Sequence, residues 1–258
     1  MIHLQRVSKS YDKGRSLAVK EIDLSVSMGE FVVLLGESGS GKTTTLKMVN
    51  RLIDLSSGRI IVNGMDNATL DPVDLRRSIG YIFQGIGLFP HMSVAENVGT
   101  VPRLLRWDRK RTENRVHELL ELVGLPPEEF KHRRPATLSG GQQQRVGLAR
   151  ALAAGPKIML MDEPFGALDP ITRAALQNEF QHLQRSLKLT VIMVTHDMTE
   201  ALLMGDRIIV MLKGEIVASG SPHQLLADST HPYVSALMEV PLRQSGLLAA
   251  LLQRKAEA

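Results

Sequence analysis

The run Gly36-Glu37-Ser38-Gly39-Ser40-Gly41-Lys42-Thr43 holds the residue types that bind phosphate. Its glycines let successive backbone N–H groups turn toward one anion. Lys42 brings a point charge suited to β- and γ-phosphates, and the Thr43 hydroxyl is a ligand for Mg²⁺. A second centre, Asp162-Glu163, closes the apolar run Ile158-Met159-Leu160-Met161. At the carboxyl end of a strand, Asp162 would hold the metal directly or through water, and Glu163 would act as general base on an attacking water. Such a pair alone is more often a solvated loop; a phosphate loop in the same chain reverses that weighting. A third segment, Leu138-Ser139-Gly140-Gly141-Gln142-Gln143-Gln144-Arg145, reads first as a helix start, with Ser139 as N-cap and Gln142 at capping-box spacing. Two glycines in the first turn nevertheless cost about 1 kcal/mol each against alanine, which makes sense where backbone N–H groups must approach an anion.

The elements that must carry these residues are visible in the hydrophobic pattern. Ile22, Leu24 and Val26 alternate with polar residues, as in a strand with one buried face. Phe31-Val32-Val33-Leu34-Leu35 is continuously apolar, as in a strand buried on both faces. It leads into the glycine loop, and Thr44-Thr45-Leu46-Lys47-Met48 follows in helical character, giving the order strand, loop, helix that a phosphate site requires. From about Arg109 to Val123, Val116, Leu119, Leu120 and Val123 recur with the helical period. Buried-type strands at Ile158 to Met161, Thr190 to Val194 and Arg207 to Leu212 alternate with helix-length segments such as Thr172 to Leu187, which predicts a parallel sheet covered by helices. The expected division is an α/β core of 1–84 and 155–235, with a helical insertion over 85–154. The segment 241–258 is expected to be a short tail, with Leu247, Leu248, Leu251 and Leu252 in a short helix, far below the roughly 50 residues of a domain.

Composition narrows the function. The chain has no cysteine, so disulfides and thiolate metal sites are excluded. A net charge of +4 is compatible with a polyanionic ligand, but aromatics are only 4% of residues and the basic residues are scattered, which argues against nucleic acid. The densest basic cluster, Arg103, Arg106, Arg109, Lys110 and Arg111, reads as an exposed helix face. The amino terminus is too polar for a secretory signal, and no apolar run approaches the roughly 18–20 residues of a membrane helix.

Together these segments resemble the ATP-binding-cassette (ABC) transporter ATPases, over nearly the whole chain and in the family's order. Gly36 to Thr43 matches the Walker A motif, Gln84 the Q-loop glutamine, Leu138 to Gln142 the signature, and Ile158 to Asp162 with Glu163 the Walker B. Ala167-Leu168-Asp169 matches the D-loop, His196 the switch histidine, and Tyr11 the aromatic that stacks on adenine. The resemblance implies an α/β fold over 1–240: a P-loop NTPase ABC ATPase core with an antiparallel β subdomain and a helical subdomain. It implies ATP with Mg²⁺, contacted by Tyr11, Gly36, Glu37, Ser38, Gly39, Ser40, Gly41, Lys42, Thr43 and Thr44. The metal falls to Thr43, Gln84 and Asp162, and catalysis to Glu163, His196 and Gln84. It further implies a nucleotide-sandwich dimer in which a second copy supplies Ser139, Gly140, Gly141, Gln142 and Asp169 in trans. Taken alone, Tyr11 is as readily a packing aromatic and His196 a satisfied core histidine. Gly166 departs from the serine that many members carry.

A narrower likeness joins Thr43 to Arg51, Ile86 to His91 and Asp162 to Pro170 to the ATPases of glycine betaine, choline and other quaternary-amine importers; Gly85 departs from the polar residue often found there. This implies a peripheral subunit on the cytoplasmic face of the membrane, partnered by transmembrane permease subunits and, indirectly, a periplasmic or lipid-anchored binding protein. A groove near Gln84 and Gly87 to His91 would receive a permease helix, with local packing of Ile86, Leu88 and Phe89 as the plainer reading. A motor for another solute, an unfused exporter ATPase and a soluble cassette acting on DNA or ribosomes are the alternatives. The last usually needs two cassettes or a long coiled-coil insertion. Recognition of a quaternary ammonium commonly uses an aromatic cage, and one Trp, three Tyr and six Phe are dispersed here, so solute specificity is expected to reside on the binding protein.

Overall fold

The computed structural model describes residues 1–227, 230–239 and 241–243. Its strands are β1 (Ile2–Lys9), β2 (Val19–Val26), β3 (Phe31–Leu35), β4 (Ser57–Val62), β5 (Met65–Asp66), β6 (Ile79–Ile82), β7 (Ile158–Asp162), β8 (Thr190–Thr195), β9 (Arg207–Leu212) and β10 (Glu215–Gly220). Its helices are α1 (Lys42–Val49), α2 (Pro72–Ser78), α3 (Val94–Val98), α4 (Thr100–Leu104), α5 (Arg109–Leu122), α6 (Pro127–Phe130), α7 (Gly140–Leu152), α8 (Pro170–Leu187), α9 (Met198–Met204) and α10 (Pro222–Ala227). The strands form two sheets, ordered β2-β1-β4-β5 and β10-β9-β3-β8-β7-β6. The first is antiparallel throughout; in the second every pairing is parallel except β9 with β10.

The central strands β3, β7 and β8 are buried along their whole length. Successive side chains leave opposite faces, so each strand feeds two cores. Val32, Leu34, Leu160, Ile192 and Val194 pack with Leu46, Met48 and the inner face of the antiparallel sheet. Phe31, Val33, Leu35, Met161, Val191 and Met193 pack with the helices, including Val94, Leu119, Leu120, Val146 and Phe180. Phe31 meets Phe180 edge to face, with centroids 5.9 Å apart.

The helical segment is organised by caps and one buried amide. Ser93 and Ser139 each form a reciprocal capping box, starting α3 and α7. Asn97, fully buried, donates Nδ2–H to the carbonyls of Phe89, Met92 and Ser93 and accepts from the Phe89 N–H at 2.8 Å, closing the loop ahead of α3. The basic cluster expected on one helix face is divided instead. Arg103 lies in α4, Arg106 in a left-handed turn at φ +56°, and Arg109 to Arg111 begin α5 once Asp108 caps it; all are exposed. Leu247, Leu248, Leu251 and Leu252 lie outside the described residues.

Asn97→Ala removes four hydrogen bonds and leaves part-buried carbonyls without that donor, so urea denaturation should show a loss of about 1–3 kcal/mol. An unchanged midpoint would show that the loop closes without it.

Candidate nucleotide site

Four adjacent parallel strands set the site. In the order β3-β8-β7-β6, Leu35 pairs with Thr195, Asp162 with Val194, and Ile82 with Met161. The residues that continue each strand therefore emerge side by side: the loop from Gly36, His196, Glu163 and Gln84. Ligands of open parallel sheets bind along this carboxyl edge.

The loop is shaped by backbone crowding. At Gly36, with φ +153°, a Cβ would stand 2.2 Å from the Met211 carbonyl oxygen; at Gly41, with φ +102°, it would stand 2.7 Å from that of Ala18. Only glycine lets the chain pass these points, and the curl delivers the loop to the start of α1. Lys42 is buried, and its Nζ donates to the carbonyls of Gly36 and Glu37, both at 2.7 Å. Burial pulls its ammonium below the usual lysine value, opposed by the charges of Glu163, Asp162 and Glu37. A cleft of about 300 Å³ lies over the loop, lined by Ala18, Ser38, Gly39, Gly41, Lys42, Thr43, Thr44, Gln84 and Glu163.

Thr43 Oγ1 donates to Asp162 Oδ1 at 2.8 Å. Asp162 is only 4% exposed, and burial lifts its carboxyl above the usual range against the opposing effects of Thr43, Lys47 and Lys42. Glu163 follows in left-handed backbone, φ +46°, a conformation L-residues adopt at a cost. Two flanking groups hold its carboxylate: Gln84 Nε2 donates to Oε2 at 3.3 Å, and His196 Nδ1 lies 3.2 Å from Oε1. His196 is largely exposed, so the core-histidine reading fails. Tyr11 is 63% exposed, with its hydroxyl 3.3 Å from Thr44 Oγ1 and Lys9 Nζ 5.1 Å from its ring centroid, so its ring is not a packing aromatic.

Not every expected residue converges here. Among the residues lining the phosphate cleft there is none from Ser139 to Gln142, nor Asp169. Ser139 caps α7 and Asp169 caps α8, where the Thr172 hydrogen bonds hold the Asp169 carboxyl below the usual range. Gly141 has an intramolecular reason to be glycine, since a Cβ there would stand 2.5 Å from Thr172 Cγ2. At Gly166 a Cβ would meet its nearest neighbour at 3.7 Å, so the missing serine is not excluded by space.

Residues with no recognisable sequence signal also contribute. The Tyr233 hydroxyl accepts from the Glu37 N–H at 3.2 Å, tying the 232–239 helix to the phosphate loop. Arg173 donates to the Leu168 carbonyl and lies 3.6 Å from Asp197, linking the segment before α8 to the one after His196. Buried Glu200, hydrogen-bonded to Gln177, lies behind them.

A glycine loop joining a parallel strand to a helix, with Thr43 hydrogen-bonded to an aspartate two strands away in the same sheet, defines a P-loop nucleotide-binding domain. The chain belongs to the ABC transporter family, whose sequence model matches residues 19–166. It is 53% identical over 234 residues to the glycine betaine/carnitine/choline transport ATP-binding protein OpuCA of Bacillus subtilis, covering 91% of this chain and 61% of that one. It is 52% identical over 241 residues to the osmoprotectant import ATP-binding protein OsmV of Salmonella typhimurium, covering 92% and 63%. The chain thus spans about three fifths of the length of these relatives. The ATP-binding cassette MJ0796, solved as a dimer in a post-hydrolysis state bound to ADP and Pi, superposes with a TM-score of 0.76 at 35% identity, over 86% of this chain and 99% of that one.

The donors at the site fit the group they would hold. A hydroxyl, a carboxylate and an amide are hard oxygen ligands suited to Mg²⁺, and the glycines at 36 and 41 let the loop curl where any Cβ would strike the Met211 or Ala18 carbonyl. Because the buried Asp162 charge is penalised without a cation, Asp162→Asn should raise the nucleotide-free melting temperature while abolishing the further rise given by ATP with Mg²⁺. A lower nucleotide-free melting temperature in differential scanning fluorimetry would contradict this account of Asp162.

Proposed function

We propose that this chain is the ATP-hydrolysing subunit of an importer for quaternary-amine osmoprotectants such as glycine betaine or choline. The observation that carries the hydrolytic part is the arrangement of Glu163, held between Gln84 and His196 beside the Thr43–Asp162 pair. The solute class rests on identity above 50% to two osmoprotectant-transport relatives. Among the described residues no helix is long and apolar enough to cross a membrane, and the solute path is proposed to lie in permease subunits. The proposed setting is the cytoplasmic face of the membrane, and the proposed solute selector a periplasmic or lipid-anchored binding protein.

ATP with Mg²⁺ supplies the phosphoryl group to be passed to water and the charge that makes its transfer possible. The chain's residues do the rest. Backbone N–H groups of the 36–44 segment and the Lys42 ammonium would hold the phosphates, Thr43, Asp162 and Gln84 would hold the metal, and Tyr11 would offer its ring to the base. Glu163 takes the proton from the attacking water, and the contacts of Gln84 and His196 aim its carboxylate. The helix N-terminus at Ser139 to Gln142, absent from the lining of its own chain's cleft, is proposed to face the phosphates of a second copy, with Asp169 beside it. Two ATP molecules would then close a dimer that hydrolysis reopens, a ligand-biased two-state switch.

Glu163→Gln should retain ATP binding and lose about 10²- to 10⁴-fold in turnover, accumulating as an ATP-bound dimer in size-exclusion chromatography. Near-normal phosphate release would remove Glu163 from the mechanism. Lys42→Ala should weaken nucleotide binding itself, measured by fluorescent-ATP titration. In vesicles carrying the assembled transporter, betaine or choline with the binding protein should stimulate hydrolysis, whereas betaine should not affect the isolated subunit. Uptake of a sugar or peptide with no response to any quaternary amine would overturn the solute class and leave the ATPase reading standing.

A further inference from the structure

The turn after Gln84 is held in a conformation its sequence resists. Gly85, Ile86 and Gly87 all have positive φ, at +82°, +66° and +60°. For a β-branched residue such as Ile86 that region is a genuine outlier, which persists only where the surroundings enforce it. The enforcement comes from α7. Arg150 donates from Nη1 to the Gly87 carbonyl at 2.7 Å and from Nη2 to the Ile86 carbonyl at 2.9 Å, a two-pronged grip on consecutive peptides. One turn earlier on the same helix face is Gly147, where a Cβ would stand 3.3 Å from Ile86 Cγ2, so a small residue there admits the isoleucine.

The cost of this arrangement marks it as more than filler. Arg150 is 9% exposed, and among the described residues no carboxylate pairs with it; burial alone pulls its guanidinium below the usual arginine value. A buried cation is satisfied here only by the carbonyls of a strained turn and the nearby Phe89 ring, whose centroid is 5.9 Å from Cζ. The two segments joined by the contact each carry residues assigned to the proposed chemistry. Gln84, two residues before Ile86, touches the Glu163 carboxylate, and α7 begins at Ser139, about 20 Å from its far end at the rise of an α-helix.

We propose that Arg150 is a positioning residue that latches the left-handed 85–87 turn to α7, so that a displacement of Gln84 moves the helix carrying Ser139 to Gln142 as one piece. This rests on the ATPase reading above and assigns a physical linkage within it. The linkage is intramolecular and needs no permease.

The test uses the full chain with three substitutions. Arg150→Met keeps bulk and removes the donors; Arg150→Lys keeps the charge and loses the paired geometry; Ile86→Gly, placed in the Arg150→Met background, removes the strain that the latch opposes. Expected for Arg150→Met are fluorescent-ATP affinity within about twofold of the parent, kcat lowered about tenfold with KM little changed, and faster hydrogen exchange over 84–90. Arg150→Lys should fall between, and Ile86→Gly should restore part of kcat and of the exchange protection. Unchanged kcat and unchanged exchange in Arg150→Met would overturn the proposal. So would loss of ATP affinity in step with kcat in both Arg150 variants, which marks a general structural role. If the Met variant does not fold, Arg150→Lys decides, by whether faster exchange over 84–90 accompanies its loss of kcat. Failure of the parent chain to bind ATP would strike the ATPase reading instead, and is seen in the same titration.

Discussion

The hydrogen bond from Thr43 to Asp162 joins residues 119 positions apart, and it exists only because β3 and β7 run parallel in one sheet with β8 between them. Parallel pairing fixes which strand ends lie level, and a shift of one residue would turn each inward side chain to the opposite face. The buried strands lock that register from both sides, since odd and even positions of β3 belong to different cores. The phosphate loop, the acidic pair, His196 and Gln84 thus share an edge as a consequence of core packing, without any direct contact among their own segments being needed to align them.

That edge is assembled from groups that are uncomfortable there. Lys42 and Asp162 are buried with their charged forms disfavoured, and Glu163 sits in left-handed backbone. Each would be more stable elsewhere, and each is kept in place by neighbours that over-determine it: loop carbonyls for Lys42, the Thr43 hydroxyl for Asp162, and the β8 carbonyl of Val194 accepting from the Glu163 N–H. The proposed ligand, a polyanion with a divalent cation, would relieve these penalties.

The helical segment contributes through α7, whose carboxyl end reaches the turn after Gln84 and whose amino end carries the residues proposed to act on a second copy. Its amino end is closed by the Ser139 capping box, and its carboxyl end grips the turn after Gln84 through Arg150. A helix is stiff along its length, whereas the 85–87 turn holds strained backbone.

By itself the sequence determined the phosphate loop, the acidic pair and the buried strands behind them, because glycine spacing, the Lys-Thr ending and unbroken apolar runs are local signals with one physical meaning. It also determined the cap at Ser139, whose partner lies three residues away, whereas the cap at Asp169 emerged only from the structure. The strand β1 was less legible: register shifts between Leu4 and Val7 and again beyond Val7 break its alternation, so its period-two signal is lost. Only the tertiary structure decided that Tyr233 meets Glu37, that Arg173 bridges two loops, that Gly141 makes room for Thr172, and that Arg150 holds the strained turn. These contacts join positions far apart in the chain through single side chains of ordinary types. Nothing in their local sequence sets them apart, because what selects them is the space left when two cores close on a common sheet.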